Sequence, residues 1–379
     1  MSILGLGSQD NTWLANAVIP KDIPLPLPAP FWLIVFVTLL TFLIHIVFVN
    51  FMVGGAIMTF IYEIKGLKDG KYSRLAQTIG RTITANKSLA VVFGVAPLLG
   101  LNTIYTTYFY TANALTANAW ISIIPLVVTV FLLLYLHKYT WDVWDSGIKK
   151  VLHISIIAIV VAFFLFIPLI FLTNVTLMLM PDLWTSTRGF FSALRLLSNN
   201  IFARYAHFLL ASCAMTGLFL VWYFRGKTTE WMNENVFSKR EAVQLGYYWT
   251  LIPTLFQFIA GPIVLYTLPS RALKESTFIL VVAGACFAVI ACVIIWKEIQ
   301  ELDHNKVGQR FYYVLGSILL TLVLMISGRH MYRENSVSEH RILIKEKTEK
   351  YLESVKNANI GTPNIPEDVT NKGIDHSKK

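Results

Sequence analysis

The sequence predicts an all-α polytopic membrane protein, a bundle of about eight transmembrane helices, and three observations carry that prediction. Of 379 residues, 55% are hydrophobic and only 14% are charged, and the mean hydropathy is +0.58; soluble domains of this length do not have that balance. Several apolar runs exceed the ~20 residues that a helix needs to cross hydrocarbon. The net charge of +10 is carried by Lys and Arg between those runs, where basic residues set topology and meet lipid headgroups. The partner implied is a lipid bilayer, with no nucleic acid.

Residues 1–30 form a polar external lead-in, and Pro24, Pro26, Pro28 and Pro30 favour an extended approach to the membrane. Span 1 is expected over Phe31–Ile61, span 2 over Ser88–Tyr110, span 3 over Trp120–Tyr139 and span 4 over Val151–Met178. Span 5 follows over Ile201–Phe224, span 6 over Gly246–Leu268, span 7 over Thr277–Trp296 and span 8 over Phe311–Ser327. Span 1 is longer than a bilayer requires, so it tilts or projects. The transmembrane bundle thus occupies residues 31–334, and 335–379 is a polar external tail. In that tail 337–357 can form an exposed helix, and the last ~20 residues are disordered by composition. The first 30 residues lack a basic start followed by an apolar core, so no cleavable signal is expected. No internal repeat is evident.

Charge alternates along the connections. The 1–2 loop holds Lys65, Lys68, Lys71, Arg74, Arg81 and Lys87; the 3–4 loop holds Lys138, Lys149 and Lys150. The 5–6 loop holds Arg225, Lys227, Lys239 and Arg240, and the 7–8 loop Lys297, Lys306 and Arg310. The 2–3 loop is uncharged, and the 4–5 and 6–7 loops carry few basic residues. The positive-inside rule places the basic loops in the cytoplasm and both termini on the outer, periplasmic side of a bacterial inner membrane. Trp120, Trp141, Trp144, Trp184, Trp222 and Trp296 lie near span ends, as interfacial belts do.

Histidines are the main candidates for chemistry. Arg204-Tyr205-Ala206-His207 opens span 5, and an imidazole at that depth needs a partner. Ala211 and Ala214 share its face at i+4 and i+7 and leave room for a flat ligand such as haem; the alternative is an interhelical hydrogen bond. His45 lies well inside span 1, with Gly54 on the opposite face, and His330 ends span 8 on the side of His207. His207 and His330 could sandwich one iron, as b-type haem takes a neutral imidazole from each side. Met325 competes as a ligand but reads better as packing. In Gly328-Arg329-His330-Met331-Tyr332-Arg333-Glu334, Arg329 and Arg333 can clamp haem propionates or a quinone headgroup, or simply anchor the helix. His137 and His153 sit at cytoplasmic span ends, where histidine is cheap; His304, His340 and His376 read as solvated. Asn50, Asn102, Asn174 and Gln257 read as interhelical hydrogen bonds, and Cys213, Cys286 and Cys292 as buried small apolar residues. No Cys-x-x-Cys-His motif exists for covalent haem. Spans 2 to 8 offer almost no carboxylate for a proton route, which places any proton chemistry near the outer surface.

Three stretches in consistent order resemble subunit I of the cytochrome bd quinol oxidases over residues 30–268. They are His45-Ile-Val-Phe-Val-Asn followed by Gly54, Tyr205-Ala206-His207 continuing through Ala211 to Thr216-Gly217, and Phe237-Ser238-Lys239-Arg240 entering span 6. The resemblance implies that His45 binds a haem of the high-spin pair and His207 the low-spin haem that takes electrons from quinol. The departures are large. Only Pro269–Ser276 joins spans 6 and 7 in place of a long quinol-binding loop. Span 3 lacks the glutamate of the family's oxygen site, span 7 has no methionine ligand, and the spans number eight instead of nine. The ending Gly-Arg-His-Met-Tyr-Arg-Glu is similar to bd-like membrane cytochromes that work beside c-type cytochromes, and there His330 replaces the missing methionine. The expectation is a b-type cytochrome with one or two haems b that oxidises menaquinol or ubiquinol and reduces a periplasmic c-type cytochrome. The alternatives are an oxygen-reducing bd-type oxidase subunit and a haem-free anchor or assembly subunit.

Overall fold

The computed structural model describes residues 14, 17–20, 27–227, 237–303 and 306–357. His304, His376, most of the proline lead-in and the end of the tail lie outside these residues. Among the described residues every regular element is helical. In chain order these are α1 (Phe31–Gly66), α2 (Gly70–Ile104), α3 (Thr106–Leu115), α4 (Ala117–Thr140), α5 (Gly147–Leu177), α6 (Phe190–Leu196), α7 (Ser198–Arg225), α8 (Lys239–Tyr266), α9 (Glu275–Ile299) and α10 (Phe311–Asn357). All but α3 and α6 are long and apolar enough to cross a membrane, eight in number. The protein is a multi-pass membrane protein.

The helices are longer than the apolar runs, and polar residues explain why. Span 2 was expected to begin at Ser88, yet α2 begins at Gly70. Lys71, Arg74, Arg81 and Lys87, read above as loop residues, lie on that helix. Its buried stripe Leu75, Ala76, Ile79, Gly80, Ile83, Thr84, Lys87 keeps helical spacing, and mean hydropathy hides it behind the charged opposite face. The same helix stops at Ile104 rather than Tyr110, and the expected outer loop holds α3. At the other end of the chain α10 runs for 47 residues, about 70 Å, twice what hydrocarbon needs. The surface between the polar ends is apolar. On α4, Ile121, Ile124, Val128 and Leu132 repeat at helical spacing and are 68%, 66%, 54% and 64% exposed, which is the face lipid covers.

Backbones approach closely where small residues permit. Gly54 of α1 faces α7, where an added Cβ would lie 2.1 Å from the Ser212 carbonyl oxygen. Gly217 of α7 meets Gly246 of α8; a Cβ on Gly217 would lie 2.6 Å from the Gly246 carbonyl. This is small-residue packing, the main way helices gain contact energy when lipid is as apolar as leucine. Polar pairs cross the same interfaces. Ser212 donates to Asn50 Oδ1 (3.1 Å) and Asn174 donates to Asn113 Oδ1 (2.8 Å), while Asn102 donates to Tyr110 (3.2 Å). These asparagines are interhelical hydrogen-bond residues, as expected.

Two apolar clusters divide the bundle. One lies toward the basic-loop end and includes Met58, Tyr62, Ile79, Ile83, Leu134 and Tyr247. The other lies at the opposite end and joins Tyr105, Tyr108, Leu177, Trp184, Tyr332 and Val337. The second cluster corrects several expectations. Residues 337–357 do not form a fully exposed helix, because Val337, His340, Ile344 and Thr348 are buried along one stripe. His340 is not solvated; its Nε2 donates to the Val18 carbonyl (2.9 Å) and its ring packs against Tyr108 and Trp184. Trp184 and Trp141 are core residues rather than belt residues, and Cys286 is exposed rather than buried. Arg271, between α8 and α9, bonds Asp182 (3.2 Å); burial lowers its guanidinium pKa and Asp182 opposes that shift.

The glycine contacts give a paired prediction. Gly217→Ala drives a methyl into the α8 backbone and should cost about 1–3 kcal/mol. Gly261 of α8 has open space where its Cβ would stand, so Gly261→Ala should be neutral or stabilising by up to about 1 kcal/mol. Thermal unfolding of the two variants in detergent checks both signs.

Candidate functional site

α1 and α7 run parallel: Asn50 meets Ser212, and Gly54, one turn on, meets Ser212 and Thr216. The Asn50–Ser212 hydrogen bond (3.1 Å) and the Gly54 contacts with Ser212 and Thr216 fix their register. His45 and His207 each precede that hydrogen bond by five residues, so they stand at one height, about 7.5 Å along the helices from it. Each is turned about 140° away from the α1–α7 contact. One level and two separate faces suit two sites rather than one.

His45 is held by α2. Its Nδ1 lies 2.8 Å from the Ala90 carbonyl, and since a carbonyl only accepts, Nδ1 carries the proton. That leaves Nε2 as a bare lone pair, the tautomer that a metal-ligating histidine adopts when its other nitrogen is anchored on a carbonyl. Gly94 makes the approach possible, because a Cβ there would lie 2.7 Å from His45 Cε1. His207 has a buried Nδ1 with no hydrogen-bond partner among the described residues. Ala214 is buried and Ala211 half-buried on its face. Protein fills this level sparsely: α1 buries no residue before Asn50, and α8 none after Thr254.

Basic groups gather above. Arg204, a turn before His207, donates to Thr176 Oγ1 (2.7 Å) and lies 5.8 Å from the Tyr332 ring centre. Arg329 stacks over Phe42 at 4.9 Å, and Phe42 in turn flanks His45 at 6.5 Å between ring centres. Among the described residues the Nε atoms of Arg329 and Arg333 are buried without a hydrogen-bond partner. A buried guanidinium N–H without an acceptor is costly unless an anion meets it. Together the bare His45 nitrogen, the orphaned His207 nitrogen, the sparse packing and the two arginines fit a haem with its propionates.

His330 is placed differently. Gly328 and Met325 of α10 face α9, which confirms Met325 as a packing residue against Gly284, while Arg329 faces α1. His330 lies about 100° beyond Arg329, in a stripe with Glu334 and Arg341. Arg341 donates to Glu334 (3.0 Å) and stacks on Tyr105 (5.7 Å). That stripe faces the α2–α3 junction rather than α9.

Two carboxylates escaped the sequence reading because they lie just past the drawn span boundaries. Glu63, after Ile61, and Glu298, after Trp296, are both fully buried. Glu298 accepts from the Arg310 backbone N–H (3.2 Å) and from its guanidinium (3.3 Å), closing the α9–α10 turn. Glu63 meets His137, His153 and Lys150 at the basic-loop end, far from the His45 level. The missed signal was a carboxylate in the last turn of an apolar helix, with two histidines at neighbouring helix ends.

No family model and no curated protein matches the sequence. Among solved structures, a chain of the bd oxidase from Geobacillus thermodenitrificans matches at 14% identity and a TM-score of 0.60, over 88% of this chain and 97% of that one. At that identity the match establishes the fold: the bundle has the helical architecture of a bd oxidase chain.

Proposed function

We propose that the protein is a membrane b-type cytochrome that takes electrons from a quinol, menaquinol or ubiquinol, and hands them to a periplasmic c-type cytochrome in a respiratory complex. The observation that carries the reading is His45, with Nδ1–H tied to Ala90 and Nε2 bare, at the level of the unpartnered His207 in a bd-oxidase fold. His207 is assigned to the electron-transfer haem b and His45 to a second. Haem, when bound, supplies one-electron chemistry. The chain supplies the rest. The Ala90 carbonyl fixes the His45 tautomer and ring plane. Arg329 and Arg333 present guanidinium donors to propionates or to a quinol headgroup, and the apolar helices keep water from the site. His330 is proposed as the second ligand of the His207 haem because span 7 offers no methionine; the turn of its stripe toward Tyr105 speaks against that pairing. The alternating basic loops support an inner-membrane protein with both termini outside, where protons from the quinol are released.

A dithionite-reduced minus oxidised spectrum of the purified protein with pyridine haemochrome quantitation is the first test, and about two haems b per chain are expected. His207→Ala should remove the low-spin b signal. Retention of that signal in His330→Ala removes His330 from the ligand set and leaves His207 in it. Gly94→Ala should displace His45 and perturb the second haem alone. Replacing Arg329 and Arg333 with leucine should lower menaquinol-dependent reduction by at least about tenfold, the equivalent of one charge-assisted hydrogen bond. Oxygen uptake by the purified protein would favour a bd-type oxidase subunit instead. Colourless protein that haem cannot reconstitute would favour an anchor or assembly subunit.

A further inference from the structure

The cluster at the basic-loop end is built from three helices. Glu63 leaves α1 one turn before its end, His137 lies in the last turn of α4, and His153 lies near the start of α5. They are 0%, 1% and 0% exposed. Their ligand-capable atoms all lie within 4.8 Å of one another. Isolated ionisable groups at such burial are expensive, and convergence of three needs a reason.

The hydrogen-bond pattern supplies one. His153 Nε2 lies 2.9 Å from the His137 carbonyl, which can only accept, so Nε2 carries a proton. In the neutral ring Nδ1 is then bare, and it points at Oε1 of Glu63, which has no proton to give when ionised. Two lone pairs would then face each other, so either a proton on Nδ1 or a metal cation must lie between them. The other carboxylate oxygen, Oε2, faces His137 Nε2 at 2.9 Å. Two imidazoles and a carboxylate, with one ring anchored on a backbone carbonyl, are the donor set and outer shell of a zinc site. The site is closed. Trp141 packs edge-on to both rings, 5.3 Å from His137 and 4.9 Å from His153 between centres. Gly80 of α2 seals the far side, where a Cβ would lie 3.4 Å from His137 Cε1.

We propose that Glu63, His137 and His153 form a buried Zn²⁺ site that pins the α4–α5 turn to the end of α1. The carboxylate can take two coordination positions, one through each oxygen, to complete four. Lys150 occupies the cation role when zinc is absent. Its Nζ lies 2.7 Å from Glu63 Oε1 and 4.7 Å from the Trp141 ring centre. An ammonium and a divalent ion on one buried carboxylate repel, so zinc displaces Lys150 toward the nearby aqueous end of α5. The site is independent of haem and of the function proposed above.

The test is elemental analysis of the full-length protein, purified without chelator, with X-ray absorption at the zinc edge; haem iron does not interfere. About one zinc per chain is expected, in a nitrogen and oxygen shell at about 2.0–2.1 Å with imidazole scattering. Glu63→Gln and His153→Gln should lower occupancy at least about tenfold. Lys150→Met should keep the zinc and hold it at least about tenfold more tightly against a chromophoric chelator. Wild-type protein that remains zinc-free after incubation with excess Zn²⁺ and desalting overturns the proposal and leaves a protonated Glu–His–His–Lys network. Undiminished zinc in Glu63→Gln or His153→Gln overturns it equally. If those variants fail to fold, uptake and the absorption shell of the wild type decide alone.

Discussion

Hydrocarbon offers no hydrogen-bond partner, so each polar side chain placed between the ends of this bundle must find its partner in the protein or in something the protein binds. Most do so locally. The hydroxyls of Thr59, Thr84 and Thr250 return to the carbonyl four residues earlier in their own helices. Others bridge helices, as Asn50 with Ser212 and Arg204 with Thr176 do. Each bridge is worth only about 0.6 kcal/mol on average in a membrane, but the alternative is an unsatisfied group. Orientation is therefore what they determine: Asn50 and Ser212 fix the register that sets His45 and His207 at one height.

The residues left over are informative for the same reason. Among the described residues the His207 Nδ1 and the Nε atoms of Arg329 and Arg333 are buried without partners, and the bare His45 Nε2 follows from its anchored Nδ1. They gather where helices α1 and α8 bury few residues, between the two apolar clusters. A level sparsely filled by protein between two packed clusters, with the His207 Nδ1 unpartnered among the described residues, is the feature on which the haem proposal rests. The Glu63 cluster is the opposite case: tightly enclosed at the ends of three helices, with its carboxylate met by two imidazoles and the Lys150 ammonium.

Long helices and close glycine contacts make these placements rigid. Gly54 against Ser212 and Gly217 against Gly246 bring α1, α7 and α8 to backbone contact, so a ring on one helix is held against the next with little freedom. α10 extends this rigidity beyond the membrane-spanning part. His340, joined to the Val18 carbonyl, ties the far half of α10 to the N-terminal segment. The end of the bundle that carries Arg329 is thus capped by packed protein; Arg204 is buried there, and Arg329 and Arg333 are half-buried rather than spread on an open surface.

Much of this was legible in the sequence, because period and hydropathy report what a bilayer selects. The eight spans, the His45 and His207 candidates, Gly54 as a packing face and the asparagines as interhelical bonds all follow from apolar length and helical spacing. Hydropathy fails where a helix leaves the hydrocarbon. There one charged face outweighs a buried stripe, which hid the first turns of α2, the buried side of residues 337–357, and Glu63 and Glu298 just past the apolar runs. Pairings across the chain were decided only by tertiary structure, because sequence spacing fixes angles within one helix and not between two. That is why Trp141 became the wall of a Glu–His–His cluster, why His340 became a core residue, and why Arg341, on the stripe of His330, came to stack on Tyr105.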